Sequence, residues 1–296
     1  MKIKNLYLVI LLCLFCTRVD SEEPQYTYQV SICAIFRDDD RFLKEWIEFH
    51  RVVGVEHFWL FNNLSKDQYL EVLAPYIEEG IVELIDWPYE SEDWDQWHEI
   101  QNAAYDEAIL RSKGKTKWLA VIDTDEFLFP SEKNQLIEIL DQFEEYGGVC
   151  ANWQMYGTSK VKRVPDDQLM IELLICKAKD DFWKNKFIKS IVRPERVDKF
   201  PSAHFPKYLN NYYAVNTDKK KVSKLKTNRV RINHLRINHY WTRDEDFFIE
   251  KKIGRRNKPG SNFESFFKEI EELNECQDID ILRFAPALKE NMFSLR

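Results

Sequence analysis

The chain has 296 residues, 31% of them charged and 14% aromatic, with a formal net charge of −7. That length supports one large domain or two small ones, with ample material for a core. The acidic balance argues against nucleic acid as the main partner, although basic residues gather locally at 184–196 and 219–231, where an anionic ligand is the functional reading and a solvated face the plain one.

Lys2 and Lys4 precede an apolar run from Leu6 to Cys16, after which polarity rises abruptly. The run is short for a bilayer span and suits a signal-peptide core, with small residues before Glu22 for cleavage. Residues 1–21 are therefore expected to be a signal peptide, or a short signal-anchor, placing the protein in the secretory pathway or outside the cell. No later stretch is apolar enough to cross a membrane. Of the remaining cysteines, Cys33, Cys150, Cys176 and Cys276 match no zinc spacing, and Cys33 and Cys150 sit in strand-like runs as buried thiols.

Gln29–Phe36 reads as a first buried strand, and helical spacing follows over 41–53, with Asp40 as its cap and Gly54 as its end. Val55–Phe61 is a second strand ending on Asn62-Asn63, followed by an amphipathic helix over 67–79 closed by Gly80. Ile81–Trp87 is a third strand, and a helix over 96–111 leads to a fourth, Trp118–Ile122. Strand and helix alternate with connections suited to parallel crossovers, which predicts a doubly wound α/β sheet. Helices are expected over 134–146, 169–178, 244–256 and 263–274, strands over 149–156, 187–192 and 231–240, and a loop-rich insert over 197–226.

The fourth strand ends in Asp123-Thr124-Asp125-Glu126. Two carboxylates one residue apart at a strand tip suit a hard divalent cation, magnesium or manganese, shared with a substrate's phosphates. Arg37, Asp38 and Asp39 follow the first strand, Asn62 the second and Asp86 the third, so polar groups recur along the edge where parallel α/β sheets bind ligands. Each is singly a common turn residue or cap. Neither a G-x-G-x-x-G nor a G-x-x-x-x-G-K motif is present, so a bound nucleotide would need carboxylates and a metal for anchoring.

The stretches SICAIFRDDDRFLKEWIEFHRVVGVEHFWLFNN, GIVELIDWP, WLAVIDTDEFLFP, GGVCANWQMYGTS, KSIVRPERV and RINHYWTRDEDFFIEKK occur in this order. Together they resemble the GT-A glycosyltransferases, specifically glycosyltransferase family 92 and its family 2-like relatives. The resemblance implies a single GT-A domain over 22–260, with a helical extension over 261–296. It implies inverting transfer of a sugar, galactose from UDP-galactose in several members, onto a glycan or glycoprotein. Manganese or magnesium would sit at Asp123, Asp125 and His239, with His234 as the spare histidine. Donor contacts would come from Arg37, Asp39, Asn62, Asp86, Gln101, Asp123, Lys251 and Arg255, the last two in a basic segment over the diphosphate. Glu172 is the candidate catalytic base, with Asp166 and Asp167 as rivals; Glu126 would support the metal turn or the acceptor. Trp153 and Trp241 are the expected acceptor contacts. The family's Asn-Glu after strand one is Asp38-Asp39 here and an aspartate after strand two is Asn62, which loosens the expectation for the nucleotide. Two other readings remain open: a non-catalytic carbohydrate-binding protein on this scaffold, and a sugar-phosphate nucleotidyltransferase, which would be expected to carry a Gly-rich first loop.

Overall fold

Four strands with almost uninterrupted apolar sequence build the parallel half of a ten-stranded sheet: β1 (Tyr28–Phe36), β2 (His57–Asn62), β3 (Val82–Asp86) and β4 (Thr116–Val121). Their order is β3-β2-β1-β4, with every neighbour parallel. The chain thus winds away from β1 in one direction and returns on its other side, which puts the topological switch point of the sheet at the carboxyl ends of β1 and β4. The computed structural model describes residues 25–253 and 263–293, so the expected leader at 1–21 and Arg255 lie outside the described residues.

Helices α1 (Asp40–Val52) and α2 (Tyr69–Glu78) cover one face of this half and α3 (Trp94–Ser112) the other. Trp46, Ile47 and Phe49 of α1 are fully buried against one face, and Ala104, Tyr105 and Ala108 of α3 against the opposite one. Parallel strands buried on both sides read as continuous apolar runs, which is why the sequence located them well.

The other half mixes directions. β6 (Gly148–Met155) and the strand Ile188–Val192 run antiparallel, and Ile188–Val192 also joins β4 antiparallel, linking the halves. β5 (Glu126–Pro130) pairs antiparallel with the strand Leu235–His239, which lies parallel to β6. Side chains of α1 satisfy groups on β5: Trp46 Nε1 donates to the Glu126 carbonyl at 2.8 Å, and the Leu128 amide donates to His50 Nε2 at 3.1 Å. His50 Nδ1 then donates to the Trp46 carbonyl, and burial pushes the imidazole pKa down to about 3, so the ring stays neutral and keeps its acceptor.

Several expected elements take another form. The helix expected over 169–178 is only Met170–Leu173, because Cys176–Lys177 pairs as a strand with Cys276–Gln277. The helix over 134–146 shortens to Ile137–Leu140 plus one 3₁₀ turn, Asp141–Phe143. Glu245–Phe247 passes into a π turn, Phe248–Ile253, instead of a long regular helix. The insert over 197–226 contributes Ala214–Asn216 and Lys221–Val222 to the main sheet. In each case long-range pairing or packing outweighs a propensity worth tenths of a kcal/mol per residue.

The C-terminal segment packs into the same core. Leu288 of the helix Ala285–Phe293 is fully buried, Phe284 sits edge-on to Phe49 and Phe129, and Lys44 Nζ donates to the Met292 carbonyl. Arg236, almost fully buried in its strand, bonds both Asp278 and Asp280 and ties the segment down. Among the described residues all cysteines are free, and no helix is long and apolar enough to cross a membrane.

Candidate active site

The turn from Asp123 to Asp125 lies between β4 and β5, at the switch point of the sheet. Register brings the late histidine to it. His239 pairs with Glu126 across β5, and the Tyr240 amide donates to the Asp125 carbonyl at 2.8 Å. His239 Nε2 consequently stands 3.2 Å from Asp125 Oδ1, with both side chains largely buried. Trp153 on β6 covers the imidazole, their rings 4.4 Å apart, and stacks in turn on Phe187 at 5.3 Å.

Asp123 faces protein donors. Its Oδ2 is 2.8 Å from Lys189 Nζ, while Oδ1 accepts from the Tyr105 hydroxyl at 3.0 Å and from Gln101 Nε2 at 3.2 Å. Burial opposes the charge, but the Lys189 ammonium prevails and holds the carboxyl below the usual aspartate range. Lys189, fully buried on Ile188–Val192, also lies 3.6 Å from Glu126 Oε2. Burial pushes the Glu126 carboxyl well up against the pull of Lys189, while Oε2 accepts from the Asp123 amide at 2.9 Å. For Lys189 itself burial works against the charge, yet Asp123 and Glu126 carry its pKa above the usual lysine value.

The loop after β1 is clamped to this turn. Thr124 Oγ1 donates to Asp39 Oδ2 at 2.5 Å. Arg243 bridges both sides, with Nη1 2.6 Å from Asp39 Oδ1 and Nη2 donating to the Thr124 carbonyl at 3.2 Å. Its guanidinium is buried between the rings of Phe42 and Phe247, each 4.5 Å away.

The other expected residues divide by position. Asp38 has a positive φ of 55°, receives the Lys66 amide and lies 3.8 Å from Lys251 Nζ, which puts that lysine beside the loop after β1. Arg37 is half-buried beside Asp38. Asn62 braces its own loop, donating to Tyr69 and accepting from the Ser65 amide, while Asp86 is exposed at the tip of β3. Gln101 reaches the site through Asp123. Trp241 is half-buried with the Lys184 ammonium 5.4 Å from its ring. His234 precedes Leu235, at the opposite end of its strand from His239. Glu172 is ion-paired with Lys289 at 2.7 Å, and Asp166 and Asp167 are exposed in the preceding loop.

Lys189, Arg243 and Tyr105 went unread in the sequence because each acts across a long-range pairing. His204 is another. It packs on Trp153 and Phe187 and contacts the Ile188 carbonyl through Nδ1, and burial together with Lys189 lowers its pKa to about 4. A signal for Lys189 did exist, in a single lysine between the apolar residues of IKSIV.

Among the described residues no three His, Cys, Asp or Glu side chains gather as a ready-made ion cage. The 3.2 Å between His239 Nε2 and Asp125 Oδ1 nevertheless matches two adjacent ligands of a six-coordinate ion, which at about 2.1 Å each stand about 3 Å apart. His239 Nδ1 is buried without a hydrogen-bond partner among the described residues, so the ring is oriented from its Nε2 side, by Asp125. This pair fits a cation shared with a substrate rather than one caged by protein alone.

The model of glycosyltransferase family 92 matches residues 26–278. The chain belongs to glycosyltransferase family 92. Its central sheet with helices on both faces is the α/β architecture expected of a GT-A domain. A family 92 protein of Ricinus communis is 27% identical over 199 residues, 65% of this chain and 34% of that protein. Beta-1,4-galactosyltransferase galt-1 of Caenorhabditis elegans is 25% identical over 64% of this chain and 45% of its own length. Galactan beta-1,4-galactosyltransferase GALS3 of Arabidopsis thaliana is 30% identical over 35% of this chain and 21% of its own length. The chain therefore spans a third to under half of the first two family members and less of the third. Among solved structures, S. aureus TarS 1–349 covers 90% of this chain and 72% of its own, at 14% identity and a TM-score of 0.39.

Proposed function

We propose that this chain transfers a hexosyl group, galactose from UDP-galactose in the first instance, to a hydroxyl of a glycan or glycoprotein with help from manganese or magnesium. The observation that carries this reading is the pairing of Asp125 with His239 at the switch point, in a chain of family 92. Relatives named β-1,4-galactosyltransferases favour galactose and an inverting outcome.

A cation at Asp125 and His239 would supply positive charge for the leaving diphosphate. Lys251, beside Asp38 in the loop after β1, adds a further cation for the same charge. The Lys189–Asp123 and Arg243–Asp39 pairs hold the turn in place while substrate binds. In the transfer the acceptor oxygen bonds to the anomeric carbon as the bond to the diphosphate oxygen breaks. The leaving group takes the electron pair, and a carboxylate takes the acceptor proton. Glu172 is our candidate for that base. Trp241 offers a face for the acceptor, whereas Trp153, expected to do the same, is buried against His239 and Phe187 and backs the site instead. The N-terminal segment fits export through the secretory pathway.

The test is thermal unfolding of the protein with UDP, GDP and their sugars, each with manganese or EDTA. A rise in Tm with UDP that EDTA or Asp125→Ala removes supports the reading; the absence of any nucleotide response refutes it.

A further inference from the structure

A second concave feature lies on the far edge of the sheet. It is a cleft of about 490 Å³ formed by the strand Lys221–Val222 and the loop that follows. Lys220, Lys221, Lys224, Lys226, Arg229 and Arg231 line it, with neutral Asn216, Ser223, Thr227 and Asn228 among the remaining walls and no carboxylate in the lining. In a chain of net charge −7 that segregation is a local feature, not a reflection of composition. Among the described residues Asp218 forms its ion pair with Arg231.

The loop that walls the cleft is hydrogen-bonded to the central sheet. Buried Asn152 of β6 donates to Thr227 Oγ1 at 2.8 Å and accepts from the Arg231 amide at 3.0 Å. The Thr227 amide donates to the Lys186 carbonyl, and the Ile188 amide to the Leu225 carbonyl. Lysines that were only a solvated face would not need the loop between them pinned to the central sheet.

The cleft also leads to the candidate active site. Lys226 Nζ sits 4.0 Å from the centre of the Phe187 ring and 4.9 Å from that of Trp183, a residue 53% exposed. Phe187 stacks on Trp153, and Trp153 covers His239. An exposed tryptophan beside a file of rings suits the apolar faces of sugars, while the cations beyond suit charges spaced along a chain.

We propose that the Lys220–Arg231 cleft binds an anionic glycan, a chain bearing carboxylate, sulfate or phosphate groups, and guides its end over Trp183 and Phe187 toward the transfer site. The inference rests on the glycosyltransferase reading for its direction, although the binding itself does not. A concave cleft admits a polymer strand and not a flat bilayer.

The experiment uses the full chain with four oligosaccharides of matched length: an oligogalacturonate, a heparin-derived sulfated fragment, a phosphorylated oligomannose and a neutral β-1,4-galactan. Vesicles containing phosphatidylserine form a fifth arm. We expect at least one anionic glycan to bind roughly ten-fold or more tightly than the neutral one at low salt, with the difference shrinking as salt rises. The three charged arms separate carboxylate, sulfate and phosphate. The variant Lys220→Gln/Lys221→Gln/Lys224→Gln/Arg229→Gln should lose that preference and keep the wild-type Tm and UDP response. Trp183→Ala should weaken every glycan without altering the charge preference. Equal binding of charged and neutral glycans, an unchanged preference in the quadruple variant, or binding to vesicles alone would overturn the proposal. Retention of the preference in a protein without any UDP response would remove the transferase reading and leave the cleft as a glycan-binding site.

Discussion

Lys189 reaches Asp123 from a strand running antiparallel to β4, and its ammonium is wholly buried 2.8 Å from the carboxylate. Removing one member of a fully buried ion pair strands the other at a cost of about 3–5 kcal/mol, an upper bound here because the Asp123 side chain is 31% exposed. Lys189→Met leaves Asp123 with only two neutral donors, Tyr105 and Gln101, and deprives Glu126 of its nearest cation. Chemical denaturation should show a loss of up to that size, accompanied by loss of the UDP response. Wild-type stability in this variant would mean that the ammonium is not what holds the turn.

Asp125 and His239 make the second prediction. If they share a cation with the donor, Asp125→Ala should abolish manganese-dependent stabilisation by UDP and reduce turnover by roughly 10²-fold or more. His239→Ala should weaken the manganese requirement about 10- to 100-fold, while His234→Ala, at the other end of the strand, should change neither. Titrating manganese against activity separates the three. An equal effect of both histidine variants would contradict the assignment.

The carboxylate turn was legible because β4 is an apolar run that ends abruptly in acids, and parallel strands buried on both sides announce themselves that way. The convergence of His239 was legible only through the resemblance carried by RINHY, since its partner lies over a hundred positions away and meets it by register between β5 and its neighbour. Lys189 left only an ambiguous signal, for a related reason. A lysine inside a strand signals an exposed face unless the chain opposite supplies buried carboxylates, and only the antiparallel pairing of Ile188–Val192 with β4 provides them. Helices over 134–146 and 169–178 failed where local periodicity was real but weak. The backbone at Cys176–Lys177 found a strand partner in Cys276–Gln277, a hundred residues on, that local spacing does not reveal.

Arg243 links Asp39 to Thr124 with two guanidinium nitrogens, a span that one ammonium cannot reproduce. Arg243→Lys keeps the charge but loses the fork. The loop after β1 and the carboxylate turn should then separate, raising KM for the donor by about ten-fold, with a smaller effect on kcat. Steady-state kinetics over a donor series decide it; an effect confined to kcat would place the role of Arg243 in the chemical step instead.

Glu45 gives the fold a pH dependence of definite sign. On α1 its two oxygens receive the Met170 and Ile171 amides at 2.7 and 3.0 Å, anchoring the short helix that carries Glu172. Burial outweighs those hydrogen bonds and raises the pKa from 4.5 to about 7. A carboxyl that holds its proton more tightly when folded adds stability below its unfolded pKa and loses that contribution as pH rises toward the folded value. The contribution of Glu45 should therefore decline between about pH 4.5 and 7, by on the order of 3 kcal/mol in total. Asp123, depressed by Lys189, works in the opposite sense and at lower pH: its contribution is present above the usual aspartate pKa and disappears as pH falls through the depressed one. Unfolding free energies measured from pH 4.5 to 7.5 should show a downward component in the wild type that Glu45→Gln removes. The variant still accepts one of the two amides, so its stability at pH 7 and above tests the anchor separately from the proton. A slope unchanged in Glu45→Gln would assign the pH dependence to another group.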